Sequence, residues 1–430
     1  MCCTYNILHQ RAVLAYNYSA MKLRSIESMP DVKGKNILIR VDHNVTFDPA
    51  TGKLKDDRKL KLTLKTIEYL LDRGARLILM THVGRPKGKV VEELRTRPIA
   101  EHLKTISDKI SVVKTVGELF GDNVDKEVQS LKNGEILYLE NVRFFSGEKE
   151  NDDEFCKRLA KHGEFFVNEA FPSLHVYEEG STCGTAKLLP AYAGFYLQEE
   201  IKHLGSAIDN PKKPLVLILS GAKMKTKITV IKRFLDLADH ILLGGCIANT
   251  FIAARGFDVG GSRHEEGSIE LARDLMLESE LEGKATIQVP RDAIVATEAG
   301  EEAQKLNLPV EDISGDMKIF DIGKVTIERY KKEIESAKTI IWNGPLGMYE
   351  YNRFSHATKR IAESVCETSK KGAFTIIGGG DTLDFHSRYD YPLDSYGFVS
   401  AGGGAMLEFL SAEKPLPGLI PMMEEEAVAV

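Results

Sequence analysis

Short apolar strands alternate with amphipathic helices along nearly the whole chain, and this alternation restricts the fold more than any other feature. NILIRVD (36–42) reads as a strand of branched residues. The helix after it carries Leu60, Leu64, Ile67 and Leu71 on one stripe and stops at Gly74, and ARLILMTH (75–82) reads as the next strand. A βαβ unit of this kind demands a parallel sheet with helices on its faces. Further strand candidates are EILYLEN (135–141), EFFVNEAF (164–171), PLVLILSG (214–221), HILLGG (240–245), ATIQVP (285–290), KTIIWNG (338–344), AFTIIGG (373–379) and YGFVSAG (396–402).

The expected fold is α/β, with two doubly wound parallel-sheet (Rossmann-like) domains joined by a hinge helix, and 430 residues suit two or three domains. A boundary falls between Phe195 and Pro214, where LQEEIKHLGSAIDNPKKP reads as a helix (about 196–209) closed by a polar turn. This divides a domain over 21–195 from one over 196–411. Residues 1–20 have neither the charged start nor the apolar core of a signal peptide and are expected to form a disordered extension. The acidic tail MEEEAVAV reads as a solvated end.

Composition excludes several classes. Hydrophobic content of 43% and charged content of 28% describe a soluble globular protein, and a net charge of −6 gives no support for nucleic-acid binding. No apolar run approaches a membrane span. The six cysteines are too scattered for a disulfide framework or a zinc site, which points to a reducing, cytoplasmic setting.

The polar residues at the strand ends are partitioned. In the first half they are Asp42, Asn44, His82, Arg85 and Arg143; in the second they are glycine clusters, SGAK (220–223), GGC (244–246), NGPLG (343–347), GGGDT (378–382) and AGGGA (401–405). Open parallel sheets bind ligands outside the carboxyl ends of their strands. One half therefore suits a small anion and the other a bulky phosphate-bearing ligand. Neither GxxxxGK[ST] nor a GxGxxG after the first strand occurs, so the phosphates would lie on separate short loops.

RVDHNV (40–45), THVGRPKG (81–88), ENVRF (140–144), SGAKMKTK (220–227), WNGPLGMYE (342–350), IIGGGDT (376–382) and SAGGGAMLEFL (400–410), in this order, resemble the phosphoglycerate kinase family over about 21–419. The resemblance implies reversible phosphoryl transfer between 1,3-bisphosphoglycerate and Mg-ADP, giving 3-phosphoglycerate and Mg-ATP. It also implies a monomer whose two domains close about a hinge, with residues 412–430 returning to the first domain. The expected ligands are 3-phosphoglycerate, ATP or ADP, and Mg²⁺, with no nucleic acid and no membrane.

By the same resemblance, Asp42, Asn44, Lys59, His82, Arg85, Arg143 and His175 hold the glycerate substrate. Arginine suits a phosphate cradle because its planar fork binds two oxygens at once. The nucleotide is expected on Gly221, Ala222, Lys223, Lys227, Gly244, Gly245, Asn343, Gly344, Pro345, Gly347, Glu350, Gly378, Gly379, Gly380, Asp381 and Thr382. Asp381 is the magnesium-associated carboxylate, while Lys59, Lys227, Gly379 and Gly403 act in the transfer itself. Trp342 reads as packing.

The chain departs from the family at two important places. In DDRKLKLTLKTI (56–67), Lys59 stands where the family has an arginine, and Arg58 lies one residue early, about 100° round a helix. In NEAFPSLHVYEEGSTCG (168–184), Val176 replaces a second arginine, and Glu178 and Glu179 follow, carboxylates expected to repel a phosphate. A smaller change puts Ala401 in place of a threonine. Three readings stay open on the sequence: a working kinase with a substituted cation, a kinase acting on a different carboxylate, and a catalytically impaired nucleotide-binding relative.

Overall fold

The computed structural model describes Tyr18 and residues 21–48, 50–175, 179–224 and 227–424. Strands β1 (Asn36–Val41), β2 (Arg76–Met80), β3 (Val113–Thr115), β4 (Ile136–Tyr138), β5 (Phe165–Glu169) and β6 (Ala191–Ala193) form one parallel sheet, ordered β3-β4-β2-β1-β5-β6. A second begins with β7 (Leu215–Leu219), β8 (His240–Leu243) and β9 (Thr286–Gln288). After an antiparallel unit of β10 (Asp292–Ala296), β11 (Leu306–Pro309) and β12 (Lys318–Ile322), it is completed by β13 (Thr339–Asn343), β14 (Phe374–Gly378) and β15 (Phe398–Ser400). Its order is β15-β14-β13-β7-β8-β9, again all parallel.

Helices cover both faces of each parallel sheet, so the central strands are apolar throughout rather than alternating. Leu38 and Ile39 on β1, and Val216 to Leu219 on β7, are fully buried. Trp342 is buried on β13 between Ile218 and Ile377, its indole N–H donating to Gly344 O at 2.8 Å. Packing is its role, as its sequence context implies.

In the helix Arg58–Asp72 the buried stripe includes Leu60, Ile67, Leu70 and Leu71, while the expected Leu64 is half-buried. The helix between the halves spans Phe195–Asp209. Its first N–H groups are satisfied from the first half: Thr66 Oγ1 accepts from Phe195 N at 2.9 Å, and Glu169 accepts from Tyr196 N at 3.2 Å and Leu197 N at 2.9 Å. The antiparallel unit is absent from the sequence reading. LNLP on β11 is short and largely exposed, and the β10–β12 register shifts between Ile294 and Val295, which breaks any period-two signal.

The turn Pro417–Met422 lies against the first half, with Arg24 N donating to Met422 O at 2.8 Å and Gly418 N to Leu174 O at 3.1 Å. Tyr18 is buried, its ring centroid 3.9 Å from that of Phe409 and its hydroxyl donating to Lys414 O at 3.0 Å. The rest of the expected 1–20 extension, and 425–430 of the acidic tail, lie outside the described residues. No described helix is long and apolar enough to cross a membrane.

Candidate active site

At the carboxyl ends of β1, β2 and β4 a cluster of charged side chains is buried. Arg40, near the end of β1, is wholly buried; its Nε donates to Ser181 Oγ at 2.8 Å and its Nη2 to His82 Nδ1 at 2.9 Å. Burial, and then the charge of Arg40, hold His82 well below the usual imidazole range. The ring is therefore neutral, and because Nδ1 accepts from a guanidinium its proton is on Nε2.

Arg143, on the turn Val142–Phe144 that follows β4, donates to Gly84 O at 3.0 Å and to Glu179 Oε1 at 2.7 Å. Lys149 Nζ donates to the same Glu179 oxygen, and Arg40 lies 3.9 Å from the other. Burial pushes the Glu179 carboxyl up, but Arg40 and Arg143 with these hydrogen bonds outweigh it and hold the group below its ordinary range. The expectation that Glu179 simply repels anions therefore needs correction: it is ion-paired within the basic cluster. Val176 and Glu178 lie outside the described residues.

Lys59 Nζ lies 2.7 Å from Asp42 Oδ2, bringing the first turn of the helix Arg58–Asp72 to the end of β1. Arg58 lies in the field of Tyr196 and Glu200 on the hinge helix instead. Asn44 Oδ1 accepts from Gly84 N at 2.9 Å and ties the loops after β1 and β2 together. Arg85 is exposed. His175 faces the second half: its Nε2 is 3.8 Å from where a Cβ on Gly404 would stand.

The second half holds a cavity of about 300 Å³ where its strand order reverses, between β7 and β13. Gly221, Ala222, Lys223 and Lys227 line it from the loop after β7, and Asn343 and Gly344 from the end of β13. Gly379, Gly380, Asp381 and Thr382 close it from the start of the helix Gly380–Arg388, with Gly403 opposite. Orphan N–H groups at such a helix start suit phosphate oxygens.

Backbones approach too closely here for side chains. A Cβ on Gly344, whose φ is +96°, would stand 2.4 Å from Ser220 O. Thr382 Oγ1 accepts from Gly344 N at 2.8 Å and donates to Gly378 O at 3.0 Å, which fixes the β13 and β14 loops to each other. Lys227, only 8% exposed, donates to Asn343 Oδ1. Burial lowers its ammonium to about 8, and Asp381 partly offsets that shift.

Of the remaining expected nucleotide residues, Gly244 and Gly245 abut Ser220, Pro345 O accepts from Ser220 Oγ at 2.5 Å, and Gly378 abuts Met406. They shape the walls behind the cavity. Gly347 packs against Asp321, and Glu350 is exposed; neither lines the cavity. A larger opening of about 390 Å³ is lined by Lys305, Arg353 and Lys359, whose side chains already donate to Arg353 O, Ala303 O and Asn352 Oδ1.

Among the described residues no group of three or more His, Cys, Asp or Glu could hold a metal alone. Asp381, the one carboxylate among the described residues that line the cavity, fits an ion carried in on nucleotide phosphates, since Mg²⁺ commonly takes one or two carboxylates plus phosphate oxygens.

The family model described as phosphoglycerate kinase matches residues 26–413. A phosphoglycerate kinase of Chloroflexus aurantiacus is 40% identical over 396 residues, covering 92% of this chain and 98% of its own. That of Dictyoglomus turgidum is 39% identical over 395 residues, covering 92% and 97%. The chain belongs to the phosphoglycerate kinase family. Solved structures agree: the Coxiella burnetii phosphoglycerate kinase superposes with a TM-score of 0.80 at 33% identity, covering 93% of this chain and 99% of that one. The Pyrococcus horikoshii phosphoglycerate kinase gives 0.77 at 28% identity, covering 93% and 98%.

Lys59 rather than Arg58 is the residue that reaches Asp42 at the end of β1. Sequence reasoning missed Arg40 and Lys149. An arginine inside an apolar strand, two residues before Asp42, was the available signal for the first. Lys149 sits in an ordinary charged helix and gave none.

Proposed function

We propose that the protein is a phosphoglycerate kinase, transferring the γ-phosphoryl group of Mg-ATP reversibly to the carboxylate of 3-phosphoglycerate. One observation carries the reading: a cation cluster ends one parallel sheet and a glycine-lined cavity ends the other, on either side of a shared hinge helix. The acceptor carboxylate attacks phosphorus, the bond to ADP breaks, and no covalent enzyme intermediate is needed. The protein supplies position and charge.

Lys227 and the amides of Gly379 and Gly380 hold the nucleotide phosphates, and Asp381 holds Mg²⁺, which when bound neutralises phosphate charge. Lys59 presents its ammonium to the moving phosphoryl group, while Asp42 and Asn44 orient the glycerate. His82, Arg85, Arg143 and His175 complete the acceptor side. We place the enzyme in the cytoplasm as a monomer. The test is ATP-dependent phosphorylation of 3-phosphoglycerate, coupled to NADH oxidation through glyceraldehyde-3-phosphate dehydrogenase. Steady turnover is expected, and its absence with Mg-ADP binding intact would overturn the proposal.

A further inference from the structure

Glu179 is fully buried, yet its carboxylate ends among cations rather than apolar atoms. Those cations come from separate elements: Arg40 from β1, Arg143 from the turn after β4, and Lys149 from the helix Ser146–Glu150. The cluster lies at the carboxyl ends of parallel strands, where such sheets receive ligands.

The fit is incomplete. Glu179 Oε2 and Arg143 Nε are both buried without a hydrogen-bond partner. Glu179 faces the charges of Arg40, Arg143 and Lys149, and the neighbouring Glu148, bonded to Ser181, is pushed by burial up to about 7, so positive charge and donor capacity are left over. A tetrahedral dianion, with three acceptor oxygens, would use what a planar monoanion leaves unspent.

We propose that Glu179 determines acceptor affinity by occupying, as an intramolecular anion, the subsite for the acceptor's own phosphate, which must displace it to bind. The inference rests on the acceptor being a phosphorylated acid, as proposed above. The competition falls on acceptor binding and leaves the transfer step, at the other end of the acceptor, unaffected. A carboxylate that merely anchors the 179–184 segment would instead leave phosphate affinity unchanged when neutralised.

The experiment compares wild type with Glu179→Gln, which keeps size and removes charge, and with Glu179→Asp, which draws the carboxylate back by one methylene. Isothermal titration calorimetry with inorganic phosphate, 3-phosphoglycerate and Mg-ADP reads each subsite separately, beside KM and kcat. Glu179→Gln is expected to bind inorganic phosphate and 3-phosphoglycerate about tenfold tighter or more. KM for the acid falls in step, kcat stays within about twofold, and Mg-ADP affinity does not change. Glu179→Asp is expected to fall between, and it carries the test if the glutamine variant does not fold.

Unchanged or weaker phosphate binding in a variant that still binds Mg-ADP overturns the inference. Tighter phosphate binding without turnover in any variant would uphold Glu179 as the resident anion of a phosphate subsite and overturn the kinase reading. Turnover with unchanged phosphate affinity would do the reverse.

Discussion

Lys59 Nζ meets Asp42 Oδ2 at 2.7 Å, with 30% of the lysine side chain and 5% of the aspartate exposed. The ammonium is thus held at the end of β1, where the acceptor carboxylate is proposed to lie. Lys59→Ala should lower kcat by about 10²–10³, the usual cost of losing one donor to a developing charge. Its melting temperature should fall, because removing the ammonium leaves the buried Asp42 carboxylate without its cation. Lys59→Arg should keep most turnover, and Arg58→Ala should not reproduce the Lys59→Ala loss; steady-state kinetics on all three variants checks this.

Lys227 should impose a pH limit on nucleotide use. Burial lowers its ammonium from 10.5 to about 8, so the cation is present below that value and is lost above it. KM for Mg-ATP should rise above about pH 8, and Lys227→Ala should lower kcat/KM strongly at every pH and abolish that limb. The linkage sign is fixed too. The unfolded chain binds the extra proton between about 8 and 10.5, so this group's contribution to stability rises with pH across that window. Kinetics from pH 6.5 to 9.5 measures the first effect.

The approach of Gly344 to Ser220 admits no side chain. Gly344→Ala would place a methyl 2.4 Å from Ser220 O at a φ of +96°. A loss of about 1–3 kcal/mol in stability is expected from the backbone strain, together with weakened Mg-ADP binding. Urea unfolding and calorimetry read the two effects.

Glu200, on the hinge helix, accepts from Ala401 N at 3.0 Å and so links that helix to the last glycine loop. Burial raises its carboxyl from 4.5 to about 7. Its stabilising share is complete below about 4.5 and is lost as pH rises through about 7, because the folded state must then bury a charge. Glu200→Gln, neutral at every pH, should therefore gain melting temperature relative to wild type between pH 5.5 and 8.5. A constant difference would contradict this.

The central strands were legible because burial on both faces leaves unbroken branched runs such as VLIL on β7. β3, β6 and the antiparallel unit were not: VKT and AYA are too short to show a period, and β10–β12 carries a register shift. The glycine loops around the cavity were readable because glycine is forced where backbones approach. The acceptor side was harder. Arg40 is hidden in an apolar strand, and no local pattern says that Glu179 turns inward onto cations contributed by three other elements. Those pairings are set by tertiary packing, as is the choice between Arg58 and Lys59.

The most direct test is to trap the product. Wild type and Lys227→Ala would be incubated with Mg-ATP and 3-phosphoglycerate in hydroxylamine, which converts an acyl phosphate to a stable hydroxamate. Hydroxamate that requires both substrates, and falls at least about a hundredfold in Lys227→Ala, is the predicted result. No hydroxamate from wild-type protein that still binds Mg-ADP would contradict the assignment of carboxylate phosphorylation to this chain.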